Sequence, residues 1–70
     1  MLSQELRRTV QAAADMLDDK LKIPLYLYYT VEMTIDEIAS VLKIPTGTVK
    51  SRLFQARRAM KKILEEVEFP

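Results

Sequence analysis

The segment from Thr34 to Leu53, TIDEIASVLKIPTGTVKSRL, contains two amphipathic helical patterns separated by only three residues, Lys43–Pro45. A turn this short forces the two helices to cross in close contact. The first pattern opens with a capping box, in which the Thr34 hydroxyl and the Glu37 carboxylate satisfy each other's backbone N–H groups. The spacing predicts a helix-turn-helix over about residues 34–66, and a plain helical hairpin within a bundle is the alternative.

The rest of the chain contains few residues that break helices. Its 70 residues include a single glycine and three prolines, and no stretch alternates between apolar and polar residues as a half-buried strand does. We therefore predict an all-α fold, one small four-helix domain over residues 1–70 with the helix-turn-helix at its C-terminal end. Thr46 is expected to cap the fourth helix, and Pro24 to bend the second helix or delay its start. The predicted helices cover about residues 3–17, 19–31, 35–42 and 46–66.

Apolar residues at helical spacing predict which faces are buried. Ala39 is expected where the third and fourth helices cross, because only a small side chain permits so close an approach. The tyrosines of LKIPLYLYYTV are expected at the rim of the core, with their rings packed inward and some hydroxyls in water. The predicted core residues are Leu6, Val10, Ala13 and Leu17 in the first helix, Ile35, Ile38, Ala39 and Leu42 in the third, and Val49, Leu53, Ala56, Met60, Ile63 and Val67 in the fourth.

The composition argues against several functions. The chain has neither cysteine nor histidine, so it lacks the usual zinc ligands and the commonest general base. We therefore expect no metal site, no catalytic residue and no cofactor. No apolar run approaches the roughly 18 residues of a membrane-spanning helix, and the N-terminus lacks the apolar region of a signal peptide. We expect a cytoplasmic protein that is not an enzyme and binds neither a membrane nor a small molecule.

Basic residues are concentrated in one part of the chain. Residues 43–62 contain seven lysines and arginines and no acid, whereas the other fifty residues contain four bases and ten acids. The two parts therefore carry formal charges of +7 and −6. An ordinary solvated helix face mixes both signs, so this separation favours a surface that binds nucleic acid.

A helical wheel divides the fourth helix into an apolar seam and a polar flank on the opposite side. Because the first turns of a recognition helix enter the major groove, Lys50, Ser51, Phe54 and Gln55 are predicted to contact bases. The Phe54 ring suits a thymine methyl or a sugar, and packing against a neighbouring helix or the chain end is the alternative. Phosphate contacts are predicted for the later basic residues and for the N-termini of the third and fourth helices. These residues are Thr34, Thr46, Gly47, Thr48, Arg57, Arg58, Lys61 and Lys62.

The segment MTIDEIASVLKIPTGTVKSRLFQARRAMKKIL closely resembles region 4 of bacterial sigma factors of the extracytoplasmic-function group. The pattern of that family runs approximately as a Tyr-rich or Leu-rich helix, then Ser/Thr-x-x-Glu-Ile-Ala, then Gly-Thr-Val-Lys-Ser-Arg-Leu with Ala-Arg following. GTVKSRL together with AR is highly specific, whereas EIA alone occurs in many regulators. The resemblance covers about residues 21–64.

This resemblance implies a promoter-recognition module. In the family, region 4 binds the −35 element with its recognition helix, docks on the flap of the RNA polymerase β subunit, and is commonly masked by an anti-sigma factor. We therefore expect double-stranded promoter DNA, the polymerase core and an anti-sigma factor as partners, and a function in transcription initiation. The base-contacting positions of the family fall on the four residues that the wheel selects. The resemblance assigns Arg52 and Arg57 to phosphate contact or to bracing the helix.

The chain departs from the family pattern in its loops and in its length. The family often has glycine at the position of Lys43 and near Glu32, and Leu-Pro where this chain has Asp18-Asp19. A lysine held at positive φ would cost on the order of 1 kcal/mol. The sequence contains no region that would melt the −10 element, so we expect either an excised domain or a chain that works without that region.

Two alternatives to promoter binding remain at this point. The apolar band LYLYYTV could make the chain mainly a protein-interaction module, docking on the polymerase or on a regulator. The chain could also be another kind of helix-turn-helix regulator, a class that usually dimerises to bind two half-sites.

Overall fold

The computed structural model describes residues 3–66, which form four α-helices and no strand. The helices are α1 (Gln4–Asp15), α2 (Asp19–Tyr29), α3 (Ile35–Leu42) and α4 (Thr46–Glu65). The other three helices all pack against α4. The predicted all-α class is therefore confirmed, and each helix end lies within two residues of its predicted position.

The centre of the fold is the crossing of α3 and α4. Ile38, Val49 and Leu53 have no accessible surface, and Ala39 packs with them at the crossing, as predicted. The predicted core residues that are buried are Ala13, Leu17, Ile38, Ala39, Val49, Leu53 and Ala56. Those that are half-buried are Leu6, Val10, Ile35, Leu42, Met60 and Ile63, and Val67 lies outside the described residues.

The start of α3 is held by the predicted capping box. The Glu37 backbone N–H donates to the Thr34 hydroxyl oxygen at 3.1 Å, and the Thr34 backbone N–H donates to a Glu37 carboxylate oxygen at 2.9 Å. Two interactions lower the pKa of Glu37 from its ordinary value. The larger is the hydrogen bond from the Thr34 backbone N–H, and the smaller is hydrogen bonding with the Thr34 side chain. The charged carboxylate is the better acceptor, so the box is strongest when Glu37 is ionised.

The predicted N-cap of α4 is wrong, and so is one of the two alternatives for Pro24, a delayed start of α2. Pro45, rather than Thr46, is the N-cap of α4, and its carbonyl accepts from the N–H groups of Thr48 and Val49 at 3.0 and 3.2 Å. Proline suits this position because its φ is fixed and it has no N–H group that needs an acceptor. Pro24 does not delay α2, which starts five residues earlier. The Pro24 side chain is fully buried, and this burial helps to offset the hydrogen bond that proline cannot donate.

The loops on both sides of α3 contain a residue in the left-handed region. Glu32 has a φ of 64° and Lys43 a φ of 58°. Both lie at or near positions where the sigma-factor pattern often has glycine. Both turns therefore hold a non-glycine residue in the left-handed conformation that glycine adopts most easily. At the end of α3, the N–H of Ile44 donates to the carbonyl of Ala39 at 3.0 Å, which closes the helix around Lys43.

Replacing Lys43 with glycine is expected to stabilise the fold by about 0.5–1 kcal/mol. Glycine removes the steric cost of the left-handed conformation, and its greater freedom in the unfolded chain cancels only part of this gain. Urea unfolding followed by circular dichroism would measure the change. The same exchange at Lys50, which is exposed within α4, serves as the control and should destabilise by about 1 kcal/mol. Equal losses in the two variants would contradict the strain at Lys43.

Candidate nucleic-acid interface

The buried seam of α4 determines the direction of its polar flank. Val49, Leu53 and Ala56 have no accessible surface and fix the rotation of the helix about its axis. The opposite side of α4 faces solvent. All four predicted base-contacting residues are exposed there: Lys50, Ser51, Phe54 and Gln55.

Phe54 is the apolar member of this exposed flank. Its side chain is 56% exposed, so it does not pack into the core formed by the described helices. The guanidinium carbon of Arg58, one turn later, lies 5.6 Å from the centre of the Phe54 ring. This cation–π contact holds a positive charge over an exposed ring. The pair presents an apolar surface and a cation side by side. The ring suits a sugar or a thymine methyl, and the cation suits a neighbouring phosphate.

Ser51 and Gln55 form a second pair on the same flank. The Gln55 side-chain amide donates to the Ser51 hydroxyl oxygen at 3.1 Å. This bond uses one amide hydrogen, so the other amide hydrogen and the carbonyl oxygen of Gln55 remain available to a partner. The Ser51 hydroxyl can still donate its own hydrogen. The flank therefore offers both donors and acceptors, which recognition of base edges requires.

The residues predicted to contact phosphate fall into two groups. Arg58, Lys61 and Lys62 are exposed on the later turns of α4, whereas Arg52 is half-buried. Lys61 lies 4.0 Å from Glu65, a surface ion pair that solvent weakens. Within residues 3–66, no other basic residue of the 43–62 segment forms an ion pair.

The helix N-termini form the second group. At the start of α4, the exposed Thr46 and Gly47 have backbone N–H groups without an intrahelical partner, whereas the N–H of Thr48 donates to Pro45. A Cβ atom added at Gly47 would meet nothing within 4 Å. The missing side chain therefore leaves open space on the outside of the helix start. At the start of α3, the N–H of Thr34 is already bonded to Glu37.

Arg57 differs from the other basic residues of α4, because its guanidinium contacts two tyrosines of α2. Its Nε–H donates to the hydroxyl oxygen of Tyr29 at 2.6 Å. The guanidinium carbon lies 5.5 Å from the centre of the Tyr29 ring and 5.8 Å from that of Tyr28. On the helical wheel Arg57 falls between the buried seam and the exposed flank, which places it at the edge of α4 but does not indicate its partner on α2.

An open groove lies on another side of the molecule, between α1, α2 and the second half of α4. It encloses about 1080 Å³. The sequence predicts the apolar band of α2 that forms one wall, but no pattern in it predicts the groove. Arg57 and Lys61 lie at its α4 wall. Its main apolar lining consists of Val10, Ala14, Ile23, Tyr26, Met60 and Leu64.

Two other features are absent from the described part of the chain. Within residues 3–66, no three acidic residues lie close enough together to hold a metal ion. None of the described helices combines the length and the apolarity that crossing a membrane requires.

The fold and the exposed basic flank define a helix-turn-helix protein. Residues 7–60 match the family model described as sigma-70, region 4. The match covers more than half of the chain, so the chain belongs to the sigma-70 region 4 family. The family predicted from the GTVKSRL and AR motifs is confirmed.

Curated relatives agree with this assignment. The chain is 37% identical over 67 residues to the ECF RNA polymerase sigma factor SigW of Bacillus subtilis (strain 168). These residues cover 96% of this chain and 36% of that protein. It is 38% identical over 60 residues to the ECF RNA polymerase sigma-E factors of Escherichia coli (strain K12) and Salmonella typhimurium (strain LT2), covering 86% of this chain and 31% of each relative. The chain thus spans about a third of the length of these relatives.

Proposed function

We propose that the chain binds the −35 element of promoter DNA as region 4 of an extracytoplasmic-function sigma factor and so supports transcription initiation. Membership of the region 4 family and the sigma factors among its relatives support this function. The observation that carries it is the exposure of the whole polar flank of α4 beside a buried helix crossing.

The dimensions of α4 suit the major groove. An α-helix with its side chains is about 10–12 Å wide, and the major groove of B-DNA is about 12 Å wide. With the flank inserted, Lys50 can donate to guanine, and Gln55 can both donate to and accept from adenine. Arg58 and Lys62, further along α4, then lie near a phosphate ridge. The open space outside Gly47 allows another phosphate to approach the helix start.

Selection of bound duplexes from a random pool, followed by salt titration of the best duplex, tests this function. We expect one enriched sequence of a few base pairs. Its binding constant should fall steeply with salt, by about 0.9 log units per log unit of salt for each phosphate contacted. A pool that stays random, or binding that does not depend on salt, would contradict the proposal.

The groove supports a second function, docking on another protein. An apolar groove with basic residues at its edge suits an amphipathic helix, and the family resemblance points to the β-flap of RNA polymerase or to an anti-sigma factor. The groove and the DNA-binding flank lie on adjacent sides of α4 and meet at Lys61, so we expect a docked protein to leave Lys50 and Phe54 accessible to DNA.

Changing Ile23 to glutamate is expected to weaken binding to the isolated β-flap domain at least tenfold. The new charge lies in the apolar lining, where a docked helix would desolvate it. Ile23 is 44% exposed, so the substitution should leave the fold intact. Duplex binding should not change. Val41→Glu, an equally polar change at an exposed residue of α3 outside the groove, is the control. Unchanged flap binding by the Ile23 variant would rule out this groove as the docking site.

A further inference from the structure

One side-chain hydrogen bond in the structure differs from all others in residues 3–66. The bond between Arg57 and Tyr29 joins residues 28 positions apart, on α4 and α2. Every other hydrogen bond that involves a side chain joins residues no more than four positions apart. It is therefore the one polar side-chain link between helices in the described part of the chain.

The link is formed in a way that only an arginine can reproduce. Its planar guanidinium lies near both rings, and the two rings meet edge to face, 5.0 Å apart and at an angle of 79°. Lysine lacks both the Nε–H in this position and the plane that stacks on a ring. The Tyr29 hydroxyl supplies the acceptor, so loss of that one oxygen breaks the hydrogen bond and leaves the rings in place.

The position of the link along α4 matters as much as its chemistry. Ala56 is the last residue of α4 that is buried, and the apolar residues after it are only half-buried. Beyond Ala56, half-buried apolar side chains hold α4 against the rest of the fold, and Arg57 adds to them a directional contact with α2, its hydrogen bond to Tyr29. The next residue, Arg58, points about 100° away and lies over Phe54 on the DNA-binding flank.

We propose that Arg57 is a positioning residue rather than a phosphate contact. Through Tyr29 it holds the second half of α4 against α2, so that Arg58 and the Phe54 ring beneath it meet DNA in a single arrangement. This inference rests on the proposed DNA-binding function. The two adjacent arginines then have separate tasks: Arg57 holds the recognition helix, and Arg58 contacts the nucleic acid.

Tyr29→Phe is the most informative variant because it changes no charge. A net hydrogen bond is worth enough to change an equilibrium about threefold to tenfold. We expect the variant to lower the ratio of specific to non-specific duplex binding by this factor, with the salt slope unchanged. The probes are a duplex selected with the unaltered chain and a shuffled duplex of the same composition. Tyr26→Phe is the matched control, since Tyr26 is 54% and Tyr29 55% exposed, and Tyr26 forms no hydrogen bond through its hydroxyl within residues 3–66.

Arg57→Lys and Arg57→Gln separate positioning from phosphate contact. If Arg57 is a positioning residue, lysine should fail to rescue the binding ratio, and both variants should keep nearly the full salt slope. Adding Tyr29→Phe to either variant should then have no further effect. A phosphate contact predicts that lysine rescues binding and that glutamine lowers the slope by about one unit. This second result, or a Tyr29→Phe variant that behaves like Tyr26→Phe, would overturn the inference. Melting curves of each variant check that the fold persists.

The failure of this inference is distinguishable from the failure of the proposed function. If the unaltered chain shows neither sequence preference nor a salt slope, the DNA-binding function itself fails. If the unaltered chain shows both and the tyrosine and arginine variants follow the phosphate pattern, only the positioning role fails.

Discussion

Changing Leu53 to alanine is expected to lower the free energy of unfolding by about 2–5 kcal/mol. Leu53 has no accessible surface and packs between α3 and α4 together with Ile38 and Val49. The three-residue turn holds these helices together at one end, so they cannot close fully around the lost volume. A domain of 70 residues has a free energy of unfolding of only about 4–10 kcal/mol, so this loss is a large fraction of the total and should lower the midpoint of thermal unfolding.

Urea unfolding, followed by the helical circular dichroism signal, would measure this loss. Val41→Ala is the control, because Val41 belongs to α3 but is 61% exposed. It should change the stability by less than about 0.5 kcal/mol. A Leu53 variant as stable as the Val41 variant would show that the crossing of α3 and α4 is not the centre of the core.

Changing Lys50 to alanine is expected to relax sequence preference at one or two base pairs, at a cost of about 1–3 kcal/mol for the preferred duplex. Lys50 lies in the second turn of α4, where a recognition helix enters the groove, and its side chain is exposed. Binding to a shuffled duplex should change much less. Competition binding with a set of single-base variants of the selected duplex would locate the affected positions.

Lys62→Ala provides the comparison, because Lys62 is an exposed lysine three turns further along the same helix. It should weaken all duplexes alike and lower the salt slope by about one unit. If the two variants behave identically on every duplex, the division of α4 into a base-contacting and a phosphate-contacting part is wrong.

The features that the sequence predicted well depend on local spacing. The capping box of Thr34 and Glu37 and the seam of Val49, Leu53 and Ala56 each lie within a few turns of one helix, where the periodicity of 3.6 residues fixes the geometry. The exposed flank follows from the same periodicity, since residues opposite a buried seam must face solvent. The specific contacts of that flank with DNA stay predictions.

The features that the sequence analysis missed depend on how separate helices meet. The bond between Tyr29 and Arg57 joins positions 28 residues apart. The periodicity of one helix relates only residues within that helix, so it cannot indicate this contact. The groove has walls from three helices, so no single segment indicates it. At the start of α4, threonine is the commoner N-cap residue. The preceding Pro45 already has the extended backbone of an N-cap, so Thr46 becomes the first residue of the helix.

The two surfaces of α4 alternate along the same stretch of chain. Arg57, Met60 and Leu64 belong to the groove, whereas Phe54 and Arg58 belong to the opposite flank. A substitution can therefore alter one surface and spare the other. A change of length cannot: inserting a single residue after Gln55 would turn everything beyond it by about 100° and bring groove residues such as Arg57 toward the DNA. Natural variation in this stretch should consequently take the form of replaced side chains at constant spacing, with insertions and deletions confined to other parts of the domain.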